Sequence, residues 1–122
     1  MGKDLHYTII SFFRDRMAEH SQVEEYSLVK DDDEILYKVV RPNNLPDLIV
    51  HLSDSYIYRL HDFYSKPPML SDGDFILIAR PEAKYTAEVQ RLAVQNKIGI
   101  GKLGEFLGAL HKRDTWTYSK DS

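Results

Sequence analysis

The sequence predicts a single α/β domain, with a mixed central sheet of about five strands and helices packed on it in the order α-β-β-β-α-β. The continuous apolar run 75–79 has the composition of a strand that is buried on both faces. An amphipathic segment after Pro81 predicts a helix that leads to a last strand at 98–103, so the two strands would be parallel. Apolar residues recur at three- and four-residue steps from Leu5 to Met17, which predicts an amphipathic first helix.

The composition indicates one folded unit. A length of 122 residues fits one domain, with 1–113 as its body and 114–122 as a frayed C-terminal tail. The chain has no cysteine, which excludes disulfides and thiolate chemistry, and its net charge of −3 argues against a strongly basic nucleic-acid binder. The N-terminus shows no apolar run of signal-peptide length, and no later stretch approaches the roughly 20 apolar residues of a membrane span. We therefore expect a cytoplasmic protein without membrane association.

The first part of the chain is predicted to form a helix and two strands. Asp4 suits the N-cap of a helix from Leu5 to about His20. Strands are expected at 23–30 and 35–40, and the acidic run 31–34 between them has the polarity of a hairpin turn. We interpret this run as a solvated turn, because a calcium or magnesium site needs more ligands than it supplies.

The middle of the chain predicts a second hairpin. Residues 41–46 contain two prolines and form a connector. Strands are expected at 47–52 and 56–61, with the polar turn Ser53-Asp54-Ser55 between them. An irregular loop over 62–74 precedes the buried strand. The later helix is expected to reach about Asn96, and a terminal helix to span 105–112.

A glycine-rich motif follows the later helix. Gly99-Ile100-Gly101-Lys102-Leu103-Gly104 matches the G-x-G-x-x-G pattern, which cradles phosphate when it opens a helix. A dinucleotide-binding motif should close the first strand of a βαβ unit, but only residues 105–122 follow this one. We interpret it as a strand whose glycines allow close packing against a neighbour.

The order of the elements, the Pro46-Asp47 pair before an apolar strand, and the segment from Leu92-Ala93 to Ile98-Gly99-Ile100-Gly101 together resemble the PD-(D/E)XK, or restriction-endonuclease-like, superfamily. The resemblance covers roughly residues 5–107. It implies phosphodiester hydrolysis, in which an Asp and an acidic residue of the next strand hold divalent metal ions and a Lys two residues further activates water. Asp47 occupies the first position. Arg59 and His61 stand where the acidic residue and the Lys are expected.

These replacements imply a degenerate active site. Arg59 cannot ligate a cation, so the favoured interpretation is a non-catalytic, nuclease-like binding domain with no cofactor. One alternative is a divergent Mg²⁺- or Mn²⁺-dependent nuclease with Asp47 and His61 as catalytic residues, in which Asp47 shares the metal with Glu19, Glu24 or Glu25. Another is structural: Asp47 pairs with Arg59 across the hairpin or caps the turn after Pro46. His51 and His61 are interpreted as half-buried polar residues on adjacent strands.

Aromatic and basic residues near the second hairpin predict a binding surface. Tyrosine rings stack on nucleic-acid bases and are common at protein interfaces, although cross-strand tyrosines also stabilise sheets without any partner. The partner would be a nucleic acid or a protein. A small self-associating protein, such as a homodimer, is the third functional interpretation. The candidate binding residues are Tyr58, Arg59, Lys66, Arg80 and Lys84, with Tyr56, Tyr64 and Arg91 nearby.

Overall fold

A computed structural model describes residues 5–118. These residues form an α/β domain, which confirms the predicted class. The helices are α1 (Tyr7–Glu19), α2 (Leu60–Tyr64), α3 (Ala87–Gln95) and α4 (Leu103–Ala109), followed by a 3₁₀ helix at Thr115–Thr117. The strands are β1 (Glu25–Asp31), β2 (Ile35–Val40), β3 (Leu48–Ser53), β4 (Ile57–Tyr58), β5 (Phe75–Ile78), β6 (Lys84–Tyr85) and β7 (Gly99–Gly101).

The central sheet has five strands in the order β1-β2-β3-β5-β7. Its first two pairs are antiparallel, and the pairs β3–β5 and β5–β7 are parallel, so the predicted mixed sheet is confirmed. The chain passes from β3 to β5 through α2, and from β5 to β7 through α3. Strands β4 and β6 form a separate two-stranded parallel sheet.

Strand β5 lies between two hydrophobic cores, as the apolar run 75–79 predicts. Side chains alternate along a strand, so Phe75 and Leu77 face one side of the sheet, and Ile76 and Ile78 face the other. The first core is completed by α1 and α4, and the second by α2 and α3. All four residues of β5 are buried for this reason.

The predicted hairpin of 47–52 with 56–61 is wrong. Strand β3 pairs with β2 and β5, while only residues 57–58 of the second segment are a strand, and they pair with β6. Helix α2 then starts at Leu60, because the Asp62 carboxylate accepts a hydrogen bond from the Arg59 N–H at 2.9 Å and closes the first turn. Leu60 and Phe63, three residues apart, both contribute to the second core.

Several boundaries differ from the prediction. Helix α1 begins at Tyr7, where the His6 side chain accepts the hydrogen bond of the Thr8 N–H; the predicted cap Asp4 lies outside the described residues. Helix α3 begins only at Ala87, because the Thr86 hydroxyl accepts from Val89 N–H and residues 84–85 are in β6. The start of the predicted tail packs on the domain through the 3₁₀ helix, where buried Thr115 donates to the Gly73 carbonyl at 2.9 Å. The rest of the tail, 119–122, lies outside the described residues.

Candidate functional site

Asp47, the first residue of the predicted nuclease motif, lies just before β3 at the edge where that strand begins. Its carboxylate is about half exposed and forms an ion pair with Lys38 of β2, with 3.7 Å between Nζ and Oδ2. Lys38 thus takes the place that the sequence suggested for Arg59. An exposed pair of this kind contributes little to stability.

The other candidate ligands of the nuclease alternative do not gather around Asp47. Glu19, at the end of α1, is paired with Arg16 at 3.0 Å. Arg59 and His61 are at the start of α2, which the chain reaches only after the opposite end of β3. Within residues 5–118 no three His, Asp or Glu side chains lie close enough together to hold a metal ion, and this includes Glu24 and Glu25.

Strands β4 and β6 instead bring aromatic and basic side chains together. Ile57 lies opposite Lys84 in the register, and Arg59 follows on the same side of the chain as Ile57 because side chains alternate along extended backbone. Tyr56 accepts the Lys84 N–H at its carbonyl at 2.9 Å. We call Tyr56, Ile57, Arg59, Arg80 and Lys84 the β4–β6 surface.

An aromatic–cation stack lies at one end of the β4–β6 surface. The Arg80 guanidinium lies 4.4 Å from the centroid of the Tyr56 ring, and its Nε donates to the Asp54 carbonyl at 2.6 Å. Tyr56 is 60% exposed and Ile57 is 48% exposed. A guanidinium over an aromatic ring is a favourable cation–π geometry that also holds the ring in one orientation.

Lys102 of the glycine-rich motif fixes the turn that carries Arg80. Its ammonium donates to the carbonyls of Arg80, Pro81 and Ala83 at 2.7, 2.9 and 2.6 Å. Burial lowers the pKa of this ammonium. The backbone N–H of Lys102 donates to the Glu105 carboxylate, so the start of α4 is occupied by contacts within the chain.

Two of the three glycines of this motif, Gly99 and Gly101, allow close packing, as predicted. A side chain at Gly99 would collide with the Phe75 ring, and one at Gly101 with Glu105. Tyr85 donates to Glu105 at 2.7 Å, and burial together with this bond raises the Tyr85 pKa. The motif therefore joins β7 to its neighbours.

Two of the predicted binding residues lie away from the β4–β6 surface. Tyr58 is 2% exposed, and its hydroxyl donates to the Asp62 carbonyl at 3.3 Å. Burial raises the Tyr58 pKa. The Lys66 ammonium lies 4.2 Å from the centroid of the Phe63 ring. Of the other predicted cations, Lys84 lies opposite Ile57 in β4 and β6, and Arg80 stacks on Tyr56, the residue before Ile57.

A cavity of about 360 Å³ lies beside this surface, at the end of β3 where Ser53 leads into residues 54–55. The acidic turn between β1 and β2 forms one wall, because Ile35 pairs with Leu52 and the turn precedes Ile35. Helix α2 and the residues after it form the other wall. Four carboxylates line the cavity, together with hydroxyl groups, His51 and one ammonium: Asp33, Glu34, Asp54 and Asp62.

His51 is the unusual group in this cavity. It alternates with Val50 and Leu52 on β3 and faces the second core, with Leu36 opposite in the register. Its Nδ1 is buried and has no hydrogen-bond partner. Burial lowers the pKa of His51 to about 4, so the imidazole is neutral at pH 7. The sequence already placed the acidic turn at one end of β2 and predicted a half-buried His51, as the structure has it, but the lack of a partner for its Nδ1 depends on packing that no local pattern encodes.

Two other buried charges have structural roles. Arg41 donates to the carbonyls of Pro46, Leu110, Lys112 and Arg113, and so ties the connector before β3 to the end of α4. Asp74 accepts from the Ile49 and Ser71 N–H groups, both at 2.8 Å, and burial raises its pKa. Both groups have partners within the chain, unlike the Nδ1 of His51.

No helix within residues 5–118 is long and apolar enough to cross a bilayer. Comparison with protein-family models, with curated proteins and with solved structures finds no match for this chain. The resemblance to the PD-(D/E)XK superfamily stays a prediction from the sequence.

Proposed function

We propose that this chain is a non-catalytic binding domain and that its β4–β6 surface binds single-stranded nucleic acid. The observation that carries the proposal is the stack of Arg80 on the exposed Tyr56 ring. The next residue, Ile57, lies opposite the cation Lys84 in the register of β4 and β6. Flat groups of this kind stack on unpaired bases, and neighbouring cations contact the phosphates.

The rigidity of the surface supports this function. The Lys102 ammonium holds the turn from Arg80 to Ala83 through its hydrogen bonds to the carbonyls there. The hydrogen bond from the Lys84 N–H to the Tyr56 carbonyl joins β6 to β4. Side chains already held in place lose less conformational entropy when a ligand binds. The stacking groups are therefore already oriented before the nucleic acid binds.

The charge of the site limits the strength of binding. Two cations, Arg59 and Lys84, are assigned to phosphates, while Asp54 and Asp62 line the neighbouring cavity and the chain carries a net charge of −3. For two phosphate contacts, the logarithm of the affinity should fall with the logarithm of the salt concentration with a slope of about −1.4. Stacking should therefore contribute more than counterion release.

The surroundings of Asp47 favour the non-catalytic form of the proposal. Asp47 is paired with Lys38 on a different edge of the sheet, and the candidate carboxylates do not surround it. Cleavage of labelled single-stranded, duplex or branched nucleic acid in Mn²⁺, abolished by Asp47→Asn, would overturn the non-catalytic assignment.

Fluorescence anisotropy with labelled 12-nucleotide oligo(dT) and oligo(U) tests binding. Tyr56→Leu should weaken it at least fivefold, because stacking is worth about 1–3 kcal/mol per base. Lys84→Ala should weaken it about threefold to tenfold and make the salt slope less steep by about 0.7. Lys38→Ala is the matched control, since it removes an exposed strand lysine far from the surface.

The proposal fails if the protein does not bind either oligonucleotide at 100 µM in low salt. It also fails if Tyr56→Leu binds like the parent protein, or if Lys38→Ala weakens binding as much as Lys84→Ala. The last result would show that only the overall charge matters.

A further inference from the structure

Strand β1 leaves one edge of the central sheet open. It lies at the end of the sheet and pairs with β2, and within residues 5–118 none of its residues forms a backbone hydrogen bond outside this pair. Residues along a strand alternate in the direction of their N–H and C=O groups, so about half of those in β1 point outward. The strand at the other end of the sheet differs, because all three residues of β7 are buried. The edge of β1 is therefore the place where this sheet can accept a further strand.

The centre of this edge is apolar and accessible. Leu28 is 50% exposed and Val29 is 44% exposed. The pairing with β2 shifts register between Leu28 and Lys30, so Val29 has no partner in β2. At about 3.3 Å per residue, the strand presents an edge of about 23 Å. An exposed edge of this length with apolar side chains at its centre is a template for another strand.

Carboxylates lie at both ends of β1. Glu24 and Glu25 stand at its start, and residues 31–34, which are all acidic, stand at its end. The segment 24–34 thus holds six carboxylates and one ammonium, that of Lys30, and its net charge of −5 is larger than the −3 of the whole chain. The ammonium pairs with two of the carboxylates, at 3.5 and 3.2 Å. The other four form no ion pair within residues 5–118, two of them at each end of the strand.

These charges decide what can occupy the edge. A second copy of this chain would bring its own acidic ends, so parallel and antiparallel pairing of two β1 strands would each place carboxylates against carboxylates. Like charges opposite each other destabilise a strand pair. The register shift at Val29 also interrupts the regular edge that a second rigid sheet would need. A flexible basic segment, in contrast, is attracted to both ends and can follow the irregular edge.

From the open edge of β1 and the carboxylates at its two ends, we infer that this chain binds an extended basic segment of a partner protein as an added strand beside β1. Backbone hydrogen bonds supply the affinity in binding of this kind, and alternate side chains of the segment supply the preference. Lys and Arg residues of the segment meet the acidic ends, and β-branched residues between them contact Leu28 and Val29. The β4–β6 surface takes no part, so this inference does not rest on the nucleic-acid proposal.

Titration with the peptide acetyl-KRTVTVRK-amide tests the inference, with two control peptides. In the first control the four central residues are N-methylated, which removes their N–H donors and keeps the charge. In the second, acetyl-EETVTVEE-amide, the charge is reversed. Calorimetry in low salt should show saturable binding of the basic peptide that is at least tenfold tighter than binding of either control. In ¹H–¹⁵N spectra, the shifted amides should be those of residues 24–31.

Each control can refute one part of the inference. Equal affinity for the N-methylated peptide would overturn strand addition, and equal affinity for the acidic peptide would overturn the role of the carboxylates. An absence of saturable binding up to 2 mM would overturn both. Sedimentation of the protein alone tests the choice of occupant, and we expect a monomer at 500 µM. A dimer that is lost in Leu28→Lys would show that the edge serves a second copy.

Variants assign the binding to β1. Glu25→Gln combined with Asp31→Asn should weaken binding of the basic peptide at least threefold, since it removes one unpaired carboxylate from each end. Glu88→Gln combined with Asp72→Asn is the matched control, because it removes the same charge from exposed positions outside β1. Leu28→Lys should weaken binding at least fivefold, since it places a cation at the centre of the edge on an exposed position that the core does not need. If the β1 double variant and Leu28→Lys both bind like the parent protein, or if the control loses as much affinity as the β1 double variant, the inference is wrong.

Discussion

Two glycines of the G-x-G-x-x-G motif should respond in opposite directions to the same substitution. A Cβ atom at Gly99 would lie 2.3 and 2.6 Å from two carbon atoms of the Phe75 ring. Carbon atoms pack best at about 3.5–4.0 Å, so the ring would have to move by more than about 1 Å. A Cβ atom at Gly104, in the first turn of α4, would have no neighbour within 4 Å.

The Phe75 ring has little room to move. Phe75 is 2% exposed, and its ring centroid lies 4.9 Å from that of the fully buried Phe106. Overpacking in a filled core costs about 1–3 kcal/mol, and a contact this short belongs at the upper end, so Gly99→Ala should cost about 3 kcal/mol. Gly104→Ala should add about 0.5 kcal/mol of stability through its higher helix propensity.

Urea denaturation followed by Trp116 fluorescence and far-ultraviolet circular dichroism measures both effects. With a slope near 1.5 kcal/mol per molar urea, a loss of about 3 kcal/mol lowers the midpoint by about 2 M. In a Phe75→Leu background, the cost of Gly99→Ala should fall below about 1 kcal/mol, because the colliding ring is absent. Equal midpoints for Gly99→Ala and the parent protein, or an unchanged cost in the Phe75→Leu background, would refute this account of the motif.

Two further predictions concern His51 and Lys102. Folding lowers the His51 pKa from 6.5 to about 4, so the unfolded chain binds a proton more readily than the folded protein does. The free energy of unfolding should therefore fall by about 3 kcal/mol as the pH drops from 6.5 to about 4. Denaturation at pH 7 and pH 4 should show this loss to be larger in the parent protein than in His51→Leu; equal losses would contradict it. Lys102→Met removes three hydrogen bonds to the 80–83 turn and should cost about 1–3 kcal/mol. It should also speed amide hydrogen exchange in residues 80–85 and weaken oligonucleotide binding. Unchanged exchange in these residues would show that Lys102 does not hold the turn.

The strands of the sheet were predictable where the apolar pattern and the turn residues indicate the same strand boundaries. Strand β2 matches its predicted range, 35–40, because an acidic turn precedes it and a connector with two prolines follows. Strand β5 was recognisable because few other secondary structures suit a short apolar run between Gly73 and Pro81. The parallel pairing of β5 and β7 followed from the helix between them.

The second hairpin was not predictable from local pattern. Ser53-Asp54-Ser55 has the composition of a tight turn, but β3 already has partners on both sides, β2 and β5, so a further strand cannot pair with it in the same sheet. The chain therefore leaves the sheet, and Asp62 closes a short helix in place of the expected strand. The composition of a turn does not determine which neighbouring strand a strand pairs with.

The relation of Asp47 to the candidate sites follows from the direction of β3. Asp47 precedes the strand, whereas the cavity and the β4–β6 surface lie at and after its end, and at about 3.3 Å per residue the six residues of β3 separate the two by nearly 20 Å. A motif that places an acid before a strand therefore marks one edge of this sheet, while the cavity and the β4–β6 surface lie at the other. Asp47→Ala should consequently leave oligonucleotide binding unchanged, and a loss of binding would mean that the two edges are coupled through β3.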